Sequence, residues 1–183
     1  MDQLTSAFDP RRFLSNSSVH KALQSRLRRD NTSQLLADEV LRILPGQRVL
    51  DIGCVPADIL SFLPDSIECY GFDVEPNCIE AATARYGERG TFVVGAVAPE
   101  TMNSLGPFDV ISSLAVLHHL NDAEVETMFS AAASLLNPEG RFVTLDCAYV
   151  KGQHPVALLL ASMDRGEYVR TPEAYADLAR RHF

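Results

Sequence analysis

The sequence lacks several features that would place a protein in a membrane or secretory class. It contains no tryptophan, and no apolar run approaches the roughly 20 residues that a membrane-spanning helix needs. Its N-terminal segment is polar and basic and has no apolar signal-peptide core. These absences predict a cytoplasmic protein without a membrane segment.

Cysteine patterns typical of metal sites are also missing. The four cysteines form no CxxC pair and have no histidine-flanked spacing of the kind that binds zinc. We therefore expect no metal site and no disulfide. We expect all four thiols to be reduced and mostly buried; they belong to Cys54, Cys69, Cys78 and Cys147.

Basic residues are scarce in the middle of the chain. Residues 49–150 carry three Lys and Arg against fifteen Asp and Glu, whereas residues 1–48 carry eight against five. A nucleic-acid partner needs a basic groove, so this distribution argues against one and favours a small-molecule or cationic substrate. Most of these charges are also compatible with ordinary solvated helix faces.

Strand and helix patterns alternate from residue 48 onward. Runs rich in β-branched and aromatic residues predict five strands, at about residues 48–52, 68–72, 91–94, 108–112 and 141–145. Apolar positions at helical spacing predict helices at about 56–62, 76–86 and 122–136, with a helical turn at about 99–105. The alternation predicts an α/β fold with a doubly wound, mostly parallel sheet.

Both ends of the chain are predicted to be helical. One helix begins at Ser17 or Ser18, and a second is capped at residues 31–33 and ends before Pro45-Gly46. After the fifth strand, an apolar helix is predicted at about 156–163, and a last one begins at Thr171-Pro172. We divide the chain into a helical cap, residues 1–46, and an α/β domain, residues 47–183.

Residues 48–60 predict a ligand-binding corner. A buried strand ends in a sharp turn at Gly53-Cys54, and the helix start that follows has free N–H groups that can face a polar ligand. Asp51 lies at the carboxyl end of this strand and Asp73 at that of the next, where ligands of open α/β sheets bind. Asp73 follows Gly53 by twenty residues, an offset at which a carboxylate can accept bonds from ribose hydroxyls. A helix N-cap is the alternative role for Asp73.

Five segments in this order and spacing resemble the class I S-adenosylmethionine-dependent methyltransferases. The resemblance covers about residues 30–150 and implies a Rossmann-like fold, S-adenosylmethionine as cofactor, S-adenosylhomocysteine as product, and methyl transfer to a small-molecule acceptor. The segments are Val49-Leu50-Asp51-Ile52-Gly53-Cys54, Gly71-Phe72-Asp73, Gly95, Phe108-Asp109-Val110-Ile111 with Leu117-His118-His119-Leu120, and Leu136-Asn137-Pro138-Glu139-Gly140-Arg141.

The resemblance also implies which residues form the site. It places His118 and His119 beside the methyl-transfer position, as a base or substrate contact; alternatively, the pair only starts the turn into the long helix. Asp51 would orient the loop and, through water, the cofactor ammonium, or else cap local N–H groups. The residues implied to bind cofactor are Asp51, Gly53, Cys54, Asp73, Val74, Gly95, Ala96, Val97, Ser113 and Leu114.

The sequence departs from the family pattern at three places. Val55 replaces the middle glycine of the G-x-G-x-G loop, and a β-branched residue strongly disfavours positive φ. Ala96 stands where many members have an acidic residue that bonds the adenine amino group. The family's C-terminal strand pair is not found, so the fifth strand is predicted to be an exposed edge. Truncation, or a homodimer through that edge, would account for it.

These departures leave a second function open. A degenerate or truncated methyltransferase-fold protein would bind a ligand or partner without catalysis, and Val55, Ala96 and the missing strands favour it. A nicotinamide-dependent dehydrogenase fits less well, because its loop requires G-x-G-x-x-G and the positions after Gly53 hold Val55 and Asp58.

Overall fold

A computed structural model describes residues 30–97, 105–163 and 166–183. The helix predicted from Ser17 or Ser18 and most of the helical turn predicted at 99–105 lie outside these ranges. The described α-helices are α1 Asp30–Leu35, α2 Pro76–Tyr86, α3 Asp122–Leu135, α4 Pro155–Met163 and α5 Pro172–Ala179. The strands are β1 Arg48–Ile52, β2 Glu68–Asp73, β3 Gly90–Val94, β4 Phe108–Leu114 and β5 Leu136–Leu145.

The five strands form one parallel sheet in the order β3-β2-β1-β4-β5. Asp51 in β1 lies beside Gly71 on one side and Ser112 on the other. The predicted doubly wound parallel sheet is therefore confirmed. Because the chain order reverses at β1 and β4, their carboxyl ends open the crevice in which such sheets bind ligands.

Each face of the sheet carries its own apolar core. Leu50 and Ile111 point to the face covered by α3 and α5, whereas Val49 and Val110 point to the face covered by α2 and residues 37–63. All four side chains are at most 1% exposed. Burial on both faces explains why β1 and β4 are almost continuously apolar.

Helix boundaries were predicted best where a capping residue and its hydrogen-bond partner are close together in the sequence. Asn121 caps α3 as expected, accepting from Glu124 N at 3.1 Å, while Glu124 Oε2 accepts from Asn121 N at 2.8 Å. Thr171 caps α5 in the same way, through Ala174 N at 3.3 Å. The long helix and the last helix are confirmed.

Predictions for the helices that flank β1 were partly wrong. Residues 31–33 lie inside α1, which continues as a π-helix over Leu36–Leu41. That helix ends at Arg42, whose φ is 47°, rather than before Pro45. Arg141 from β5 donates to the carbonyls of Leu41 and Arg42 at this end. The helix predicted at 56–62 is a short 3₁₀ helix, Asp58–Phe62, because Val55 and Ala57 have positive φ and delay its start.

The fifth strand begins earlier than predicted, at Leu136 rather than Arg141. Leu136 pairs with Phe108 and Arg141 with Val110, so residues 137–140 form an irregularity between two paired positions. Among the described residues β5 pairs only with β4 and lies at the sheet edge. Phe142 of β5 stacks on the Phe183 ring, with centroids 5.3 Å apart. A homodimer through this edge stays a prediction.

In the described ranges, none of the helices has the length and apolar character that crossing a bilayer requires.

Candidate functional site

The turn after β1 is tied to β2 by its backbone. Gly53 N and Cys54 N both donate to Phe72 O, at 2.7 and 3.0 Å. Gly53 has φ 74°, and a Cβ at this position would overlap with Cγ2 of Val116. Positive φ and close approach together require glycine here.

Val55 adopts the backbone conformation that its side chain disfavours. Its φ is 51°, and that of Ala57 is 57°. The sequence predicts this strain if the fold demands a left-handed residue at position 55, and the structure has that geometry. Val55 N donates to Asp73 Oδ2 at 2.9 Å, which holds the strained residue in place. The Val55 side chain remains 44% exposed.

Replacing Val55 by glycine is expected to stabilise the protein. Strain of this kind costs on the order of 1–3 kcal/mol, whereas glycine adds about 0.5–1 kcal/mol of unfolded-state entropy. The free energy of unfolding, measured by urea titration, should therefore increase by about 1 kcal/mol. Val94→Gly, in a β-strand at 50% exposure, is the control and should lose stability. Equal losses in both variants would show that Val55 is unstrained.

Asp73 joins three segments at the carboxyl end of β2. Its Oδ2 accepts from Val55 N and its Oδ1 from Glu75 N, both at 2.9 Å. Its backbone oxygen accepts from Gly95 N at 2.8 Å, in the turn after β3. Each carboxylate oxygen can accept a second bond, so Asp73 keeps acceptor capacity for a ligand. The N-cap residue of α2 is Glu75 and not Asp73, so the alternative N-cap role is wrong. The contact of Asp73 with the Glu75 N–H leaves room for a ligand role.

A cavity of about 550 Å³ opens beside Asp73 at the carboxyl end of the sheet. Its polar side chains are few. Thr127 already donates to Ala123 O at 2.8 Å, and Glu124 accepts from Asn121 N. The lining residues are Ile52, Gly53, Val55, Phe72, Asp73, Val74, Gly95, Ala96, Val97, Val116, His119, Leu120, Glu124, Thr127 and Met128. A mostly apolar cavity with few polar groups is the usual form of a small-molecule site.

Asp51 lies buried beneath the Gly53 turn, at 6% exposure. Burial raises its pKa from 3.8 to about 6; the hydroxyl of Ser112, which donates at 2.7 Å, opposes this shift, and the charge of Asp73 adds to it. The folded protein thus binds this proton more tightly than the unfolded chain does. Ionisation of Asp51 consequently destabilises the fold as pH rises through about 6.

Asp51→Asn is expected to remove this pH dependence. The wild-type protein should lose stability relative to the variant between pH 4 and pH 6.5, by on the order of 3 kcal/mol, because one pKa unit corresponds to about 1.4 kcal/mol. Asparagine keeps an oxygen that accepts from Ser112, so the change is chiefly one of charge. Urea unfolding of both proteins across this range measures it. Parallel profiles would contradict the assignment.

The two neighbouring histidines have different surroundings. His118 is 3% exposed, and its Nδ1 lies 2.7 Å from Asp146 Oδ1. Asp146 also accepts from Thr144 Oγ1 at 2.8 Å and from His118 N at 3.3 Å, so we assign Nδ1 as the donor. His119 instead lines the cavity. Only His119 of the pair can therefore contact a ligand there.

The structure brings together seven of the predicted site residues and separates the others. Cys54 and Ser113 are buried away from the cavity lining, and the Ser113 hydroxyl has no partner among the described residues. Leu114 lines a second cavity of about 570 Å³, next to Asp58 and Arg85. The seven that line the first cavity are Gly53, Asp73, Val74, Gly95, Ala96, Val97 and His119.

Sequence reasoning did not identify the wall that α3 contributes. Glu124, Thr127 and Met128 line the cavity from the first turns of this helix. Their spacing of three and four residues places them on one face, which was a detectable signal. No group of three or more His, Cys, Asp or Glu in the described part of the chain could hold a metal ion. None of the four cysteines, all of which lie within the described ranges, forms a disulfide.

The sequence is similar to known methyltransferases. A family model described as a methyltransferase domain matches residues 49–140. An uncharacterized methyltransferase of Synechocystis sp. is 29% identical over 109 residues, which cover 59% of this chain and 50% of that protein. The chain thus spans half the length of this curated relative.

Solved structures show the same fold at low identity. A TehB-like SAM-dependent methyltransferase from Corynebacterium glutamicum has a TM-score of 0.65 and 20% identity, covering 94% of this chain and 83% of that one. Phosphoethanolamine N-methyltransferase 2 of Haemonchus contortus, in complex with S-adenosyl-L-methionine, has a TM-score of 0.62 and 18% identity, covering 83% of this chain and 36% of that one. The sheet and its helices therefore have the fold of these enzymes.

Proposed function

Because the chain belongs to the class I S-adenosylmethionine-dependent methyltransferases, we propose that it transfers a methyl group from S-adenosylmethionine to a small-molecule acceptor. The observation that carries the proposal is the position of Asp73. Its carboxylate ends β2, lines the cavity of about 550 Å³ and faces the same space as the Gly53 turn. A carboxylate there can accept bonds from both ribose hydroxyls.

The turn after β3 supports an adenine subsite next to Asp73. The N–H groups of Ala96 and Val97 have no hydrogen-bond acceptor among the described residues, and both residues line the cavity. Val97 is 8% exposed and packs into the core against α3, which fixes the turn. Backbone donors held in this way can bind the ring nitrogens of a base. Ala96 supplies no side-chain acceptor for the amino group.

A buried carboxylate next to the lining residues Ile52 and Gly53 supports binding of the positively charged end of the cofactor, without itself lining the cavity. Asp51 lies under the Gly53 turn, and its pKa near 6 makes its charge responsive to a neighbouring cation. A bound ammonium or sulfonium group would favour the ionised form and lower that pKa. The residues present therefore fit the cofactor. Val55 makes the cavity narrower at the loop than a glycine at this position would.

The chemistry assigned to the chain is mainly positioning. When bound, S-adenosylmethionine supplies a methyl group activated on a positively charged sulfur. The cavity walls hold the reacting groups in line and exclude water, and proximity of this kind accounts for much of the acceleration in such reactions. Under this proposal His119, which lines the cavity, accepts a proton when the attacking atom carries one. His118 holds the turn through Asp146 instead.

A small-molecule acceptor is favoured over a nucleic acid because residues 49–150 are strongly acidic. The alternative function, ligand binding without catalysis, is favoured by Val55. Its side chain forms part of the cavity wall at the loop position where the family pattern has glycine.

Formation of S-adenosylhomocysteine tests the proposal. The protein would be incubated with S-adenosylmethionine and a cell extract divided by ultrafiltration into small molecules and macromolecules. We expect S-adenosylhomocysteine to form with the small-molecule fraction and not with an Asp73→Asn variant. Turnover only with macromolecules would contradict the acceptor class. Cofactor binding without turnover in either fraction would favour the alternative.

A further inference from the structure

Arg170 is an almost buried arginine whose side chain is 9% exposed. It lies outside residues 49–140, the part of the chain that the family model matches. Its Nη1 donates to the carbonyls of Leu117 and Tyr168, both at 3.0 Å, and its Nη2 donates to the carbonyl of Leu120 at 2.7 Å. One guanidinium thus holds two carbonyls from the same short turn after β4.

The remaining donors of Arg170 bind the start of α3. Nε and Nη2 donate to Asp122 Oδ1, at 2.9 and 2.7 Å. Together with the three carbonyl bonds, this occupies all five N–H donors of the guanidinium. The rings of Tyr168 and Tyr175 lie 5.9 and 5.6 Å from its central carbon. A lysine has a single ammonium and cannot reproduce this planar set of bonds.

The turn and the helix start that Arg170 holds lead into one wall of the cavity. The turn at residues 117–120 carries His119 and Leu120, which line the cavity, and α3 continues the same wall. The segment that contains Arg170 also binds this turn directly, since Tyr168 N donates to His118 O at 3.0 Å. Gly166 packs so closely on the His118 ring that a Cβ there would overlap with it.

The turn itself has little internal support. It is a 3₁₀ helix of three residues, Leu117–His119, closed by bonds from His119 N to Val116 O and from Leu120 N to Leu117 O. Such short helices have few bonds and poor geometry. We propose that Arg170 is a positioning residue that fixes the turn at residues 117–120, and with it His119, in the orientation that ligand binding requires.

Arg170→Lys tests this proposal, with Arg89→Lys as the matched control. Arg89 also donates to three carbonyls, those of Leu60, Leu63 and Pro64, but none of them lines the cavity. Both variants should therefore lose comparable stability. Asp122→Asn is a milder second variant, because it weakens only the carboxylate bonds.

The first measurement needs no ligand. Hydrogen–deuterium exchange of a peptide covering residues 116–121 should become at least about fivefold faster in Arg170→Lys, with the sheet unchanged, and somewhat faster in Asp122→Asn. Arg89→Lys should leave that peptide at the wild-type rate. An unchanged rate in Arg170→Lys, or an equal increase in Arg89→Lys, would overturn the proposal.

The second measurement rests on the proposed function. Calorimetry with S-adenosylhomocysteine should show an affinity about tenfold weaker in Arg170→Lys, because binding would then have to order the loosened wall. The affinity of Arg89→Lys should lie within about twofold of wild type. If exchange accelerates and affinity does not change, Arg170 is a structural residue only, and the proposal fails. If the wild-type protein binds no S-adenosylhomocysteine, the proposed function fails, and the exchange result alone decides for Arg170.

Discussion

Replacing Asp73 by asparagine is expected to weaken S-adenosylhomocysteine binding by at least about a hundredfold. Hydrogen bonds to a charged group contribute about 1.5–3 kcal/mol each, and Asp73 is proposed to accept two from the ribose. The variant also loses one charged acceptor for the N–H groups of Val55 and Glu75, which now lie 2.9 Å from its oxygens. The loop after β1 would therefore become less ordered as well.

Calorimetry at a temperature where both proteins are folded measures this effect. Glu80→Gln is the control, because it removes one carboxylate from an exposed position of α2, away from the cavity. It should bind like the wild-type protein. An Asp73→Asn variant that binds within about threefold of wild type would show that the ribose hydroxyls are recognised elsewhere. Loss of two hydrogen bonds to a charged group should weaken binding by far more than that.

Gly53→Ala should be the most destabilising single change at the site, by about 2–4 kcal/mol. A left-handed conformation costs an L-residue about 1–2 kcal/mol, and the new methyl group would also overlap with Val116 Cγ2. Val116, which lines the cavity, has to move to relieve the overlap. The substitution should therefore reduce stability and also change the shape of the cavity wall.

Gly46→Ala separates the two causes. Gly46 has φ 83°, but no atom lies within 4 Å of a Cβ built there. The Gly46→Ala variant should therefore lose only the stability that the left-handed backbone conformation costs, about 1 kcal/mol. Urea unfolding of the two variants compares them directly. Equal losses would show that close approach to Val116 does not require glycine at position 53.

The sheet could be predicted because its signals are local. Alternating strand and helix patterns, the caps at Asn121 and Thr171, and the turn at Gly53 each depend on a few adjacent residues. The carboxyl ends of parallel strands then had to converge, which brought Asp73 and Gly95 together. This part of the site follows from the topology.

Other features depend on contacts that no local pattern encodes. His118 and His119 are adjacent in sequence, and only the direction of a three-residue helix decides that one is buried and the other lines the cavity. At the end of the π-helix, the carbonyl of Leu41 accepts from Arg141, one hundred residues away. Arg170 reaches the turn after β4 from 50 residues beyond Leu120. Such bonds join backbone groups to side chains far away in the sequence, and no local pattern reveals them.

Calorimetric titration of the wild-type protein with S-adenosylhomocysteine measures directly whether the cavity binds the cofactor product. We expect one site per chain with a dissociation constant of about 1–10 μM, or roughly −7 to −8 kcal/mol. The apolar lining further predicts a negative heat-capacity change on binding. Absence of binding heat at several temperatures, with a protein that unfolds cooperatively and is therefore folded, would contradict the claim that this cavity binds the cofactor.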